Sequence, residues 1–166
     1  FWRGTIACTG TEFCKLALSE TKTFSRWLVE ELEERLPGFE EHIKIHVTGC
    51  PNSCGQHWIA DIGIQGVKVK VDGRLVDGYY FCLGGGVGRY QAHARGVGYR
   101  VPATEIPDAI ERILRAYTAY RLDGETFRAF CARHSNEELR AFLAGEEVPA
   151  VPTPESTGSP PHGVEG

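Results

Sequence analysis

The spacing of apolar side chains predicts an amphipathic helix over residues 21–36. Its large apolar residues recur at intervals of three and four positions, and Pro37-Gly38 follows as a stop signal. These apolar positions are Phe24, Trp27, Leu28, Leu32 and Leu36. The helix therefore has one face for a core, with its acidic face in water.

Alternating and β-branched segments predict strands on both sides of this helix. The predicted strands cover residues 4–7, 42–47, 58–64, 67–71 and 75–83. Asp72-Gly73 is a strong hairpin signal between the last two. The first strand leads directly to Cys8, and the second leads through Thr48-Gly49 to Cys50. Both cysteine loops are thus expected at the ends of strands.

The C-terminal part is predicted to be helical over 104–122 and 125–144, with a separate helix beginning at the capping box Ser135-x-x-Glu138. From 148 onward the chain is rich in Pro, Ser, Gly and Glu and poor in large apolar residues, which predicts a disordered tail over 148–166. The sequence favours an α+β domain over 1–147. It would contain a mixed β-sheet of about five strands, with helices packed mainly on one face.

Composition narrows the possible partners. The 166 residues are 42% hydrophobic, enough for one domain with a real core, and the net charge of −4 lacks the basic excess of a nucleic-acid binder. No segment approaches the roughly 20 apolar residues that cross a bilayer. We therefore expect neither a nucleic-acid nor a membrane partner. Because the chain has no Met and opens at Phe1, we expect it to be a fragment of a longer polypeptide.

Four of the six cysteines occur as two close pairs, Cys8-x5-Cys14 and Cys50-x3-Cys54. Thiolates at such gaps in two loops typically converge on one metal centre, and sulfur ligands favour iron-sulfur clusters, zinc or cuprous ion. The wide first gap favours a bulky cubane over a zinc knuckle. A zinc-stabilised interaction domain remains the alternative.

The other two cysteines, Cys82 and Cys131, lie in apolar segments and are predicted to be structural. A disulfide framework is not expected in a chain with this many helices and strands, so the cysteine usage favours a reducing, cytoplasmic location. The run 84–88, Gly-Gly-Gly-Val-Gly, lacks the spacing of a dinucleotide fingerprint. It predicts either a plain turn or a close approach of the backbone to a flat ligand.

The residues around both cysteine pairs resemble the cluster motifs of the assimilatory nitrite and sulfite reductases. The first motif is ACTGTEFCKLA at 7–17, and the second is TGCPNSCGQ at 48–56, followed by ADIG at 60–63. The strand end Leu-Gly-Gly at 83–85 also fits. The resemblance is close over 5–88 and weaker through the C-terminal helices.

This resemblance implies a 4Fe-4S cluster held by Cys8, Cys14, Cys50 and Cys54, with Cys54 as the bridging thiolate to the iron of a sirohaem. It also implies a six-electron reduction of nitrite to ammonia or of sulfite to sulfide, with ferredoxin or a similar low-potential donor. Which of the two substrates is used stays open. An iron-sulfur electron-transfer module without sirohaem is a further alternative.

The resemblance suggests cofactor contacts for Asn52, Gly84 and Gly85, although the third glycine, Gly86, departs from the family pattern. The basic residues that anchor the substrate are expected in an N-terminal half of the same enzyme. No catalytic residue is therefore assigned here, and this part alone is expected to be inactive. The basic residues near the motifs are interpreted as solvated charges, and no role is given to the two histidines beside the second motif. These residues are Lys15, Arg89, Arg95, Arg100, His46 and His57.

Overall fold

The computed structural model describes residues 1–146, and the predicted tail lies outside them. The strands are β1 (Thr5–Ala7), β2 (Ile45–Thr48), β3 (Ile62–Val71), β4 (Arg74–Leu83) and β5 (Arg95–Pro102). The α-helices of this range are α1 (Lys22–Arg35), α2 (Ile106–Tyr120), α3 (Phe127–Arg133) and α4 (Asn136–Ala144). The five strands form one sheet in chain order. β1, β2 and β3 are parallel, whereas β3, β4 and β5 are antiparallel, so the predicted mixed α+β fold is confirmed.

Alternation along the strands separates the two faces of the sheet. The side chains of Ile45, Ile62 and Leu83, which share one register row, are fully buried in the core that the four helices of residues 1–146 cover. In the adjacent row, His46, Gly63 and Cys82 point to the opposite face. One face is therefore the apolar core, and the other carries mostly polar and small residues, together with Ile6 and Tyr80.

The parallel pairing of β1 with β2 brings the two cysteine loops to one edge. Ala7 pairs with Val47, and both strands run in the same direction. Cys8 leaves the end of β1, and Gly49-Cys50 leaves the end of β2. The prediction that the loops lie at strand ends is confirmed.

The two strands predicted at 58–64 and 67–71 form a single strand, β3, with a different start. Residues His57–Ile59 form a 3-10 turn instead. Gly66, which lies between the two predicted ranges, is inside β3, where a neighbouring backbone occupies the space of a side chain. A Cβ at Gly66 would lie 2.5 Å from the carbonyl oxygen of Gly49. Here a strand glycine marks a close approach of two backbones.

Strand β5 was missed by the sequence reasoning. Its sequence, RGVGYRVP, contains glycines and exposed charges and lacks strict alternation. Gly98 has φ +76°, and the register between β4 and β5 shifts between Tyr80 and Cys82. The Tyr80 hydroxyl accepts a hydrogen bond from the Gly98 N–H at 3.1 Å. An irregular edge strand of this kind gives only a weak periodic signal.

The helices agree with the predicted segments, including the separate α4 that starts at the capping box of Ser135 and Glu138. Helix α1 begins without a side-chain cap from Thr21, and Glu20 satisfies its first N–H groups instead. The Glu20 carboxylate accepts bonds from the backbone N–H groups of Lys22 and Phe24, each at 2.8 Å, and Thr23 at 3.1 Å. This places a negative charge at the positive end of the helix.

We predict that Glu20→Ala lowers the free energy of unfolding by about 1–2 kcal/mol, because it leaves helix N–H groups without their acceptor. Glu34→Ala, on the exposed side of the same helix, is the matched control and should change it by less than about 0.5 kcal/mol. Urea unfolding of both variants measures the difference. Equal effects would show that the Glu20 carboxylate does not cap α1.

A histidine is buried among the C-terminal helices. The His134 ring is 2% exposed and lies 4.4 Å from the Phe130 ring and 5.3 Å from the Phe142 ring, centroid to centroid. Burial and the charge of Arg133 lower its pKa, against the opposing effects of Glu138 and Glu125. The Glu138 carboxylate lies 3.5 Å from Nδ1. The folded state therefore favours the neutral ring.

Because the pKa of His134 is lower in the folded state, unfolding takes up a proton at acidic pH. The neutral His134 ring contributes to stability at pH values above about 6.5, the pKa of histidine in the unfolded chain. This contribution is lost as the pH falls through the lower pKa of His134 in the folded chain. We predict that His134→Phe reduces the dependence of melting temperature on pH between about 7.5 and 5. An unchanged dependence would contradict the prediction.

Candidate metal centre

Cys8 is fixed by contacts from three directions. Its backbone N–H donates to the Val47 carbonyl at 3.0 Å, which continues the pairing of β1 with β2. The Thr21 hydroxyl donates to the Cys8 carbonyl at 2.6 Å. Its Sγ accepts a hydrogen bond from the backbone N–H of Gly49 at 3.1 Å. The Cys8 sulfur is thus held against Gly49, the residue that precedes Cys50.

The loop that carries Cys14 returns to the same glycine. The Cys14 N–H donates to the Gly10 carbonyl at 2.9 Å, closing a turn within the loop. Farther along, the N–H groups of Leu18 and Ser19 both donate to the Gly49 carbonyl, at 2.7 and 3.2 Å. Gly49 therefore joins the two cysteine loops through its N–H and its carbonyl.

The loop between Cys50 and Cys54 is tightly wound. Ser53 and Gln56 both have left-handed backbone conformations, with φ of 59° and 56°. Between them, Gly55 lies so close to β2 that a Cβ would be 2.4 Å from the Val47 carbonyl oxygen. Cys50 is buried and Cys54 is exposed. The loop thus presents its second thiol outward.

Two histidines that the sequence left without a role hold this loop. His57 is fully buried, and its Nδ1 lies 2.9 Å from the Ser53 hydroxyl. His46 Nδ1 lies 3.0 Å from the carbonyl oxygen of Gln56. Burial lowers the pKa of His57 to about 4, so its ring is neutral at pH 7. No periodicity or motif could reveal contacts that depend on how the loop folds back on the sheet.

The structure brings the two cysteine loops into contact without forming a compact single-ion site. Within residues 1–146, no three side chains of His, Cys, Asp or Glu converge closely enough to hold one metal ion. A tetrahedral zinc site, with Zn–S distances of about 2.3 Å, needs such convergence. In a cubane each thiolate binds a different iron, so its ligands are spaced more widely.

The glycines predicted to contact a cofactor are required by the packing of the chain itself. Gly84 has φ +80°, and a Cβ there would lie 2.8 Å from the Cβ of Cys131. A Cβ at Gly85 would lie 2.6 Å from the Ala60 carbonyl oxygen. Asn52 is exposed in the second cysteine loop. Cofactor contacts for these three residues stay predictions.

Cys82 and Cys131 lie away from the exposed loops and are buried, at 0% and 1% exposure. Burial raises the pKa of Cys82 to about 12 and also raises that of Cys131. Both are therefore neutral thiols at pH 7. Arg95, interpreted from the sequence as a solvated charge, is exposed and also donates to the carbonyl oxygens of Cys131 and His134.

Comparisons with known proteins identify the family of this chain. A family model described as the nitrite and sulphite reductase 4Fe-4S domain matches residues 1–150. An assimilatory ferredoxin-dependent nitrite reductase of Haloferax mediterranei is 44% identical over 132 residues, which cover 77% of this chain and 22% of that relative. A sulfite reductase (ferredoxin) of Mycolicibacterium paratuberculosis is 42% identical over 146 residues, which cover 84% of this chain and 26% of that relative.

Solved structures share the fold. The Mycobacterium tuberculosis NirA protein superposes with a TM-score of 0.77 at 36% identity, over 83% of this chain and 26% of that one. A dissimilatory sulfite reductase I superposes with a TM-score of 0.66 at 13% identity, over 96% of this chain and 55% of that one, a likeness of fold alone.

The chain spans about a quarter of the length of the curated relatives it matches. No helix within residues 1–146 is long and apolar enough to span a membrane. The family model covers most of the sequence, including all four paired cysteines. This chain therefore belongs to the family of nitrite and sulphite reductase 4Fe-4S domains.

Proposed function

We propose that this chain is the cofactor-binding part of a cytoplasmic nitrite or sulfite reductase and that residues 1–147 form its cluster- and sirohaem-binding domain. The observation that carries the proposal is the contact of the two cysteine loops through Gly49, in a chain whose family is defined by a 4Fe-4S domain. A metal centre between these loops would draw its ligands from both.

Cys8, Cys14, Cys50 and Cys54 are the proposed ligands of the cluster. The donor set fits, because thiolates are the usual ligands of iron-sulfur clusters and both pairs lie in loops at one edge of the sheet. The Gly49 N–H donates to Cys8 Sγ, a hydrogen bond of the kind that sulfur ligands of iron-sulfur clusters accept. Cys82 and Cys131 are not proposed as ligands, because they lie within β4 and α3 and not in the two cysteine loops.

Cys54 is the proposed link to sirohaem. It is the exposed cysteine of the four, so a group outside the loop has access to its sulfur. Asn52 is also exposed on this loop and is a candidate partner for a cofactor carboxylate. Gly84 and Gly85 remain candidates for close approach to the macrocycle.

The proposed substrates are nitrite and sulfite, and the proposed donor is ferredoxin or a similar low-potential protein. Two relatives support them almost equally, with 44% identity to a ferredoxin-dependent nitrite reductase and 42% to a ferredoxin sulfite reductase. When bound, a cluster beside a sirohaem supplies stored electrons next to the iron that takes the substrate. The residues of this chain would hold these groups in place, with Cys50 buried and Cys8 half-buried.

The basic side chains that would anchor an oxyanion are proposed to come from another part of the enzyme. The relatives are about four times as long as the matched region, which leaves room for them. Arg95 is already committed to two backbone carbonyls. Reduction of substrate by this part alone is therefore not expected.

Cluster binding is tested by iron, zinc and acid-labile sulfide analysis of the chain purified without oxygen. We expect iron and sulfide in equal amounts, about four of each per chain, as a cubane requires. Cys14→Ala and Cys50→Ala should each lose most of the sulfide, because each removes one proposed thiolate ligand. Cys82→Ala is the matched control and should retain it. Zinc without sulfide would contradict the proposal, as would equal losses in Cys50→Ala and Cys82→Ala.

Sirohaem binding is tested separately by the absorption spectrum after sirohaem is added to the cluster-loaded chain. We expect a shifted macrocycle spectrum, because the Cys54 thiolate would become a ligand of its iron. Cys8→Ser provides a comparison for damage to the cluster alone. An unchanged spectrum with a full cluster would instead favour an electron-transfer module without sirohaem.

A further inference from the structure

We propose that Ser53 and His57 form a positioning pair that sets the direction of the Cys54 thiol. This inference rests on the proposed function, since it concerns one of the proposed cluster ligands. Neither residue is itself a proposed ligand. Their side chains lie 2.9 Å apart, between Ser53 Oγ and His57 Nδ1, and Cys54 directly follows Ser53.

The first step of the argument is the backbone at Ser53. Its φ of 59° lies in the left-handed region, which a residue with a Cβ occupies at a cost in free energy. Glycine, which has no such cost, would be the ordinary choice at this position. The hydrogen bond between the Ser53 hydroxyl and His57 offsets part of that cost.

The second step is the rigidity of His57. Its side chain is fully buried, and its ring lies 4.4 Å from the Trp58 ring, centroid to centroid. A Cβ at Gly63 would lie 2.1 Å from the His57 carbonyl oxygen, so the backbone of His57 rests directly on β3. The packing of His57 on β3 therefore fixes the position of the imidazole that bonds to Ser53.

The third step is the chemistry of the ring. A neutral imidazole can pair with a hydroxyl through Nδ1 in either tautomer, because a hydroxyl both donates and accepts. Nε2 is buried without a hydrogen-bond partner of good geometry within residues 1–146. Within residues 1–146, the bond to Ser53 is the hydrogen bond of good geometry that this ring makes, and the Gln65 side chain is a weaker polar neighbour.

The fourth step connects the pair to Cys54. The Gln56 N–H donates to the Ser53 carbonyl at 2.8 Å, which closes the turn that contains Cys54. Cys54 is exposed, so no packing of its own side chain fixes the sulfur. The direction of its thiol depends on the φ of Ser53, and that φ depends on His57.

The experiment compares five variants in the full chain. Ser53→Ala and His57→Phe remove the hydrogen bond but keep the Cβ at position 53. Ser53→Gly removes the bond and also the strain, and His57→Asn keeps a polar atom near the place of Nδ1. The double variant Ser53→Gly/His57→Phe tests whether His57 acts through the backbone of Ser53. Ser25→Ala, at a buried hydroxyl on α1 without a partner in the described residues, is the matched control.

The first readout is the rate at which the loaded cluster loses acid-labile sulfide in air, together with its electron paramagnetic resonance spectrum after reduction. Ser53→Ala and His57→Phe should lose sulfide about fivefold faster, the factor that one hydrogen bond accounts for. His57→Asn, Ser53→Gly, the double variant and Ser25→Ala should stay near the original rate. If Ser53→Ala and His57→Phe lose sulfide at the same rate as the unchanged chain, the proposal is overturned. A double variant as fast as His57→Phe would also overturn it, because His57 would then act independently of Ser53.

The second readout needs no cluster. In the metal-free chain, hydrogen exchange of the Gln56 amide should be about fivefold faster in Ser53→Ala and His57→Phe, and unchanged in Ser53→Gly. Unchanged exchange in the first two would overturn the pairing itself. Failure of the original chain to bind iron and sulfide would instead contradict the proposed function, so the two failures are distinguishable.

Discussion

The arrangement of the candidate metal centre depends on the backbone of Gly49. Its N–H donates to Cys8 Sγ, and its carbonyl accepts from Leu18 and Ser19, so the segment that carries the first cysteine pair is bonded at both ends to the residue that precedes Cys50. The crowding leaves no space for a side chain, since a Cβ there would lie 2.9 Å from the Ser19 carbonyl oxygen. Gly66 on β3 must also lack a side chain, because the Gly49 carbonyl lies over it. Gly49 and Gly66 therefore form one close backbone contact, although 16 residues separate them in the sequence.

This contact works only because β1 and β2 run parallel. Parallel strands end at the same edge, and their loops start side by side without any further device. Helix α1, which connects the two strands, lies in the core on one face, and its first N–H groups are held by Glu20 at the end of the Cys14 loop. The fold thus separates its tasks. The helices stabilise one face of the sheet, and the strand ends present the cysteines.

Much of the fold could be predicted from the sequence where it depends on residues close together in the chain. Features that depend on contacts between distant segments could not. Helix α1, the hairpin at Asp72-Gly73 and the capping box at Ser135 depend on neighbours in the chain, and local patterns found all three. Strand β5 was missed because its glycines and register shift weaken the periodic signal. The two strands predicted at 58–64 and 67–71 are one strand, and the glycine between those ranges, Gly66, packs against Gly49, 17 positions earlier in the chain. Such contacts between segments far apart in sequence leave no local pattern.

The same reasoning limits what glycine-rich runs reveal about cofactors. Gly84 and Gly85 were suggested as places where a backbone approaches a macrocycle, yet Cys131 and Ala60 already fill the space beside them. A glycine that the protein's own packing demands carries no independent information about a ligand. Ser53 presents the opposite case, since a glycine would suit its left-handed backbone and a serine stands there. A residue with a Cβ that occupies a strained backbone conformation and has a specific hydrogen-bond partner is evidence that its position matters. A glycine whose neighbours leave no room for a side chain is weaker evidence.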